Sequence, residues 1–305
     1  MANHLTINRV SAQLIILLSG IVLGVNSYAD ENSAVQLLNK MHSALHQLQY
    51  QGNLVYIKDG QVSNLSVKHT IVNKKEVEVI TAIDANSTNY RKETNQFSLN
   101  TIPKVTPALQ KIYSFDLGKI SKVAGRSCRV VVARPKDRKR YLQKYCIDIE
   151  YNVVLKYTLI NQQHKTIEQF MFTQFNIFSN MQRSSNSLVK KLINKVKPQL
   201  GAVPVNSGQD ISWGFSNLPT GFKLISNGII KNDKFGRRSR QLIISDGMSS
   251  ISVFISKGGN KKRAPVSSGA LNIVCRTYSS YDIVLVGEVP KSTLDDVFRA
   301  LKKKG

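Results

Sequence analysis

From Asp30 to Tyr50 the apolar residues Val35, Leu38, Met41, Leu45 and Leu48 recur at spacings of three and four, which predicts a helix with one apolar face. Beyond it the period changes to that of strands. Gly52 to Lys58 and Val62 to Val72 flank Asp59-Gly60, a pair that accepts the positive φ of a tight turn, so a hairpin is expected. Further β-like runs follow at Val77 to Ile83, Lys111 to Phe115, Lys122 to Ala133, Arg140 to Ile149, Val153 to Ile160 and Thr166 to Phe178. A helix packed on a large antiparallel meander is the architecture implied for residues 30 to 180.

The pattern breaks between residues 181 and 208, where a basic helical stretch from Leu188 to Val196 is followed by Pro198, Gly201, Pro204 and Gly208. This reads as a linker with one short helix. A second domain is expected over residues 209 to 305, with strands near Phe222 to Ser226, Gln241 to Ser245, Ser249 to Ser256, Ala270 to Arg276 and Asp282 to Val286. It ends on a helix whose Leu294, Val297, Phe298 and Leu301 share one face, with Ser292 and Asp295 as a partial capping box. Lys302, Lys303 and Lys304 suit the negative end of that helix.

Residues 1 to 29 read as a secretory signal peptide: Arg9, an apolar run from Ala12 to Val25, then small residues at Ser27 and Ala29. The mature chain is expected to begin near Asp30. No cysteine follows the apolar run closely, so a lipoprotein signal is not indicated. Export places the protein in an ATP-free, oxidising compartment, which weakens kinase, NTPase and chromosomal DNA-binding readings.

Against 43 Lys and Arg the chain has only 19 Asp and Glu, a net charge of +24. Such an excess attracts polyanions; for an exported protein these are lipid headgroups, lipopolysaccharide phosphates and acidic protein segments. The cations are spread along the chain, so no single nucleic-acid groove is indicated and no nucleic-acid partner is expected.

Three cysteines allow at most one internal bridge. Cys128 and Cys146 lie on two strand-like runs about a polar turn. If the hairpin is symmetric about Asp137, they sit directly opposite each other and a cross-strand disulfide fits, whereas a one-residue slip puts them on opposite faces. Cys275 reads as a buried apolar residue. The chain has no G-x-S-x-G, H-E-x-x-H, C-x-x-C or phosphate-cradling loop, so no catalytic site, metal or cofactor is expected. His42 and His46 have the spacing for a shared metal but no acidic neighbour as third ligand, and read as packing or surface residues. Asp148 with Glu150, and Glu76 with Glu78, alternate on strands and read as solvated pairs. Asp246-Gly247 reads as a hairpin turn.

Several ordered motifs carry a resemblance. Gly125-Arg126-Ser127-Cys128-Arg129-Val130, the strand from Arg140 to Asp148, and Glu168-Gln169-Phe170 with Phe172 are similar to the N-terminal domain of the MucB/RseB family. Ser212-Trp213, Leu218 to Phe222, Ser245 to Ser250 and Val286 to Pro290 resemble its C-terminal domain in order and spacing. The resemblance implies an α+β fold: an N-terminal helix on a large antiparallel open β-barrel of the lipoprotein-carrier kind, plus a smaller C-terminal α+β domain. It implies a periplasmic, non-enzymatic regulator of the envelope stress response. Such a protein binds the periplasmic domain of a single-span anti-sigma factor, shields it from proteolysis, and releases it on sensing lipopolysaccharide or mislocalised lipoprotein. The alternative is a periplasmic lipid or lipoprotein carrier without a regulatory partner. Inward-facing strand residues Leu54, Tyr56, Val131 and Phe170 are the candidates for lining a lipid pocket. Arg237, Arg238, Arg240, Lys261, Lys262 and Arg263 are the candidates for meeting an acidic partner, and Trp213 and Phe222 are expected in the second core.

Overall fold

The computed structural model describes residues 22–83, 98–178, 212–232, 237–258 and 266–303, with side chains for all of these except 22–29, 231–232 and 237–238. Helix α1 (Val22–Gln47) starts ahead of Asp30, so residues 22–29 continue the predicted helix. Its apolar face is buried through Ala34, Val35, Leu38, Met41, Ala44 and Leu45. Among the described residues no helix is long and apolar enough to cross a membrane.

Eight antiparallel strands follow: β1 (Tyr50–Lys58), β2 (Gln61–Val72), β3 (Lys75–Ala82), β4 (Tyr113–Val123), β5 (Arg126–Pro135), β6 (Leu142–Asp148), β7 (Val154–Ile160) and β8 (Thr166–Ile177). Their spatial order is β3-β2-β1-β8-β7-β6-β5-β4, and β3 and β4 are left as edges, so the barrel is open. Asp59 (φ 54°) and Gly60 (φ 73°) make the expected tight turn between β1 and β2. Gly52 permits a close strand approach: a Cβ there would lie 2.3 Å from the Gln174 carbonyl oxygen and 2.8 Å from the Phe172 ring.

Two expected runs are divided differently. Lys122 to Ala133 is not one strand, because Ala124 (φ 50°) and Gly125 (φ 76°) form a tight turn between β4 and β5. The first part of Lys111 to Phe115 belongs to helix α2 (Pro107–Ile112), begun by Pro107 and by the Thr106 hydroxyl, which accepts from the Leu109 N–H.

The smaller domain holds β10 (Lys223–Asn232), β11 (Arg237–Ser245), β12 (Ser250–Lys257), β13 (Val266–Ser268), β14 (Leu271–Tyr278) and β15 (Tyr281–Gly287) in the order β10-β11-β12-β15-β14-β13. Helix α3 (Lys291–Ala300) packs on β14 and β15. β9 (Trp213–Phe215) pairs with β16 (Leu301–Lys303). The C-terminal lysines therefore do not simply tail off the helix: Lys302 and Lys303 are in a strand, and Lys303 sits over the Tyr281 ring. Nor does the capping box form. Pro290 precedes the helix without a side-chain cap, and Asp295 pairs with Arg276 instead. Trp213 and Phe222 are buried in this second core with Leu242, Ile244, Val253, Leu285 and Leu294.

Candidate functional site

Strand register gathers the lipid candidates on one face of the large sheet. Tyr56 faces Phe170 across β1 and β8, Phe170 faces Tyr157, Tyr157 faces Tyr145, Tyr145 faces Val131, and Val131 faces Leu117. A continuous row thus crosses six strands and contains three of the four candidates. Leu54 lies one pleat away, opposite Phe172. Tyr145, Tyr157 and Phe172 extend the aromatic set. Ring centroids are 5.2 Å apart for Tyr145 and Tyr157, 5.8 Å for Tyr157 and Phe170, and 6.3 Å for Phe170 and Phe172. All four candidates are buried in the same cluster as the apolar face of α1. The row's polar ends are tied off: the Tyr56 hydroxyl donates to Glu168 at 2.6 Å, and that of Tyr145 donates to Gln143.

A disulfide joins Cys128 to Cys146, with their Cα atoms 5.3 Å apart. The register differs from the expected one. Cys128 faces Asp148 and Val130 faces Cys146, so the hairpin is centred on Arg138, not Asp137, and the cysteines are diagonal neighbours. A two-residue offset preserves the face, which is why the bridge still closes. Beside it, Asp148 is not solvated. It is buried, takes two bonds from Arg126 (2.6 and 3.3 Å), and accepts from the N–H groups of Glu150 and Tyr151.

The Glu76 and Glu78 pair is likewise engaged. Glu76 meets His46 Nδ1 at 2.7 Å, and Glu78 accepts from the Ser98 hydroxyl and the Leu99 N–H. Burial pushes the Glu78 carboxyl up, against those two donors and the nearby His46. His42 donates through Nδ1 to the Ile102 carbonyl at 3.0 Å, so each imidazole of the helix has its own partner.

The tip of the β5–β6 hairpin holds the smaller domain through three consecutive residues. Arg140 is wholly buried. Its Nε meets Asp246, its Nη1 meets Asp137 at 2.6 Å, and its Nη2 donates to the Thr220 carbonyl. Its guanidinium lies 4.6 Å from the centre of the Phe222 ring. Lys139 pairs with Asp296, and its carbonyl accepts from the Thr293 hydroxyl at 2.9 Å. The Tyr141 hydroxyl accepts from Asn272 at 3.0 Å. At the far end of the seam, Asp59 accepts from the Ser268 hydroxyl at 2.6 Å and from the Gly269 N–H. Asp246 is the turn residue that the sequence suggests, its other oxygen accepting from the N–H groups of Met248 and Ser249. Its second task, neutralising Arg140, leaves no mark in sequence: nothing in Lys136 to Arg140 tells the one fully buried cation from the half-buried Lys139 or the exposed Lys136 and Arg138.

Of the basic candidates, Arg240 on β11 donates to Asn227 Oδ1 at 2.8 Å. Arg237 and Arg238 lie at the start of β11, with side chains outside the described set. Lys261, Lys262 and Arg263, like the linker 181–208, lie outside the described residues.

The sequence matches the family model described as the MucB/RseB N-terminal domain over residues 33–101 and 87–190, and that of the MucB/RseB C-terminal domain over 207–302. The chain is 27% identical to Sigma-E factor regulatory protein RseB of Haemophilus influenzae over 301 residues, covering 90% of this chain and 92% of the relative. It is 24% identical to Sigma factor AlgU regulatory protein MucB of Pseudomonas aeruginosa over 316 residues, 96% and 98% of the two chains. A solved complex of Pseudomonas aeruginosa MucA and MucB superposes with a TM-score of 0.69 at 24% identity, over 90% of this chain and 99% of the other, which shows a common fold.

Proposed function

We propose, since this chain belongs to the MucB/RseB family, that it is an exported binding regulator and not an enzyme: a periplasmic protein that engages the periplasmic domain of a membrane anti-sigma factor and shields it from proteolysis. The observation that carries the reading is the match to both family domains, in order, together with curated relatives named as sigma-factor regulators over nine-tenths of the chain. The solved relative in complex with MucA supports a protein partner of that kind. Release is triggered by lipopolysaccharide or mislocalised lipoprotein. An acyl chain would reach Leu54, Tyr56, Val131 and Phe170 by displacing what now covers the aromatic row, since these side chains are buried with those of α1. The seam at Arg140 would then transmit the change, because it ties the barrel's β5–β6 hairpin to the smaller domain. The test is a cleavage assay. The anti-sigma periplasmic domain from the same organism is exposed to its initiating protease with and without residues 30 to 305 of this chain. Slower cleavage that lipopolysaccharide fragments restore is expected; an unchanged rate overturns the reading.

A further inference from the structure

β10 is the outer strand of the six-stranded sheet, and among the described residues β11 is its only neighbour. The free side of such a strand carries N–H and C=O groups at the spacing a further strand needs. Eight large hydrophobic side chains are exposed among the described residues, and three of them are on this one strand: Leu224 at 43%, Ile225 at 62% and Ile229 at 38%. Single exposed apolar residues are ordinary, but a concentration on one open edge marks a contact surface. The strand has no proline, and between Leu224 and Ile230 it has no charge. A Cβ added to Gly228 would meet nothing within 4 Å, so the sheet face over the middle of the strand is open to a partner's side chains. The one irregularity is the bulge between Leu224 and Ser226, which leaves Ser226 to Asn232 in regular register.

Charge selects the occupant. In sequence the two strands β10 and β11 carry Lys223, Lys231, Arg237, Arg238 and Arg240 and no acidic residue. Two copies laid edge to edge would oppose like charges, whereas an acidic strand gains from every pairing. We propose that β10 receives an extended segment of a protein partner, alternately apolar and acidic, by strand addition. This rests on the regulator reading and names where the smaller domain holds the partner's chain. Main-chain bonds supply affinity, and Ile229 and Ile230, on opposite faces, supply side-chain selection. Arg240, directly opposite Ile229 on β11, and Lys223 at the strand's start read the acidic positions.

The test uses residues 30 to 305 with the anti-sigma periplasmic domain of the same organism as probe. Amide exchange is followed with and without it, and binding is compared with the Ile225→Lys, Ile229→Lys double variant and with Val62→Lys, an exposed apolar site on β2. Slowed exchange over 223 to 232 and at least tenfold weaker binding by the double variant alone, at unchanged melting temperature, are expected. If the unaltered chain binds but exchange there is unchanged, or the double variant binds equally well, the strand-addition proposal fails and the regulator reading stands. If the unaltered chain does not bind, both fail.

Discussion

Arg140 and Asp246 form an ion pair across the two domains in which neither side chain has any exposure to solvent. The guanidinium is also held by Asp137 and by the Thr220 carbonyl, and Asp246 by two backbone N–H groups, so the charges are hydrogen-bonded on every side. Such a pair adds little net stability over a well-packed apolar one, but removing one partner strands the other in a dry site. Arg140→Ala should therefore cost about 3–5 kcal/mol, read by denaturant unfolding. Arg140→Lys should not restore it, because an ammonium lacks the planar fork that reaches both carboxylates and the carbonyl. Unfolding at the unaltered midpoint would contradict this.

Gly221 supports the same seam. Its φ is +89°, and a Cβ there would lie 2.8 Å from Ile112 Cδ1 and 3.1 Å from Arg140 Nη2. Gly221→Ala combines backbone strain with overpacking, and a loss of roughly 1–3 kcal/mol is expected in the same unfolding measurement.

The Cys128–Cys146 bridge closes a loop with a sequence separation of 18. Replacing both residues by serine should lower stability by about 3 kcal/mol. Reductant should lower the unfolding midpoint of the unaltered chain and leave the double variant where it is.

Much of this was legible in the sequence. The apolar spacing of α1 and the Asp59-Gly60 hairpin announce themselves because each depends on neighbours in the chain. What was hidden depends on partners far away. Arg140 is chemically indistinguishable from Arg134 or Arg138 until Phe222, Thr220 and Asp246 are folded against it. Asp148 looked like a solvated strand residue because nothing in its neighbourhood in sequence shows Arg126 folding back onto it. Ala124-Gly125 passed for strand because alanine does not advertise a turn. The aromatic row was half visible: alternation gave Tyr56 and Phe170, while Tyr145 and Tyr157 emerged only once register aligned six strands.

Glu78 gives the fold a pH dependence of defined sign. Burial holds its carboxyl above the ordinary value of 4.5, so the folded chain keeps this proton to higher pH than the unfolded chain does. The group's contribution is then fully favourable below the unfolded pKa and declines as pH rises through the raised folded value. Glu78→Gln should flatten the melting temperature's pH slope across that window. Identical slopes for the two proteins would refute the assignment.

Partner binding is the claim on which the rest depends, and calorimetric titration of residues 30 to 305 with the anti-sigma periplasmic domain, at low and high salt, tests it most directly. The account predicts saturable binding that weakens with salt, as residues 30 to 305, with a net charge of +23 once Arg9 is gone, require on meeting an acidic segment. Absence of binding at either salt would contradict it.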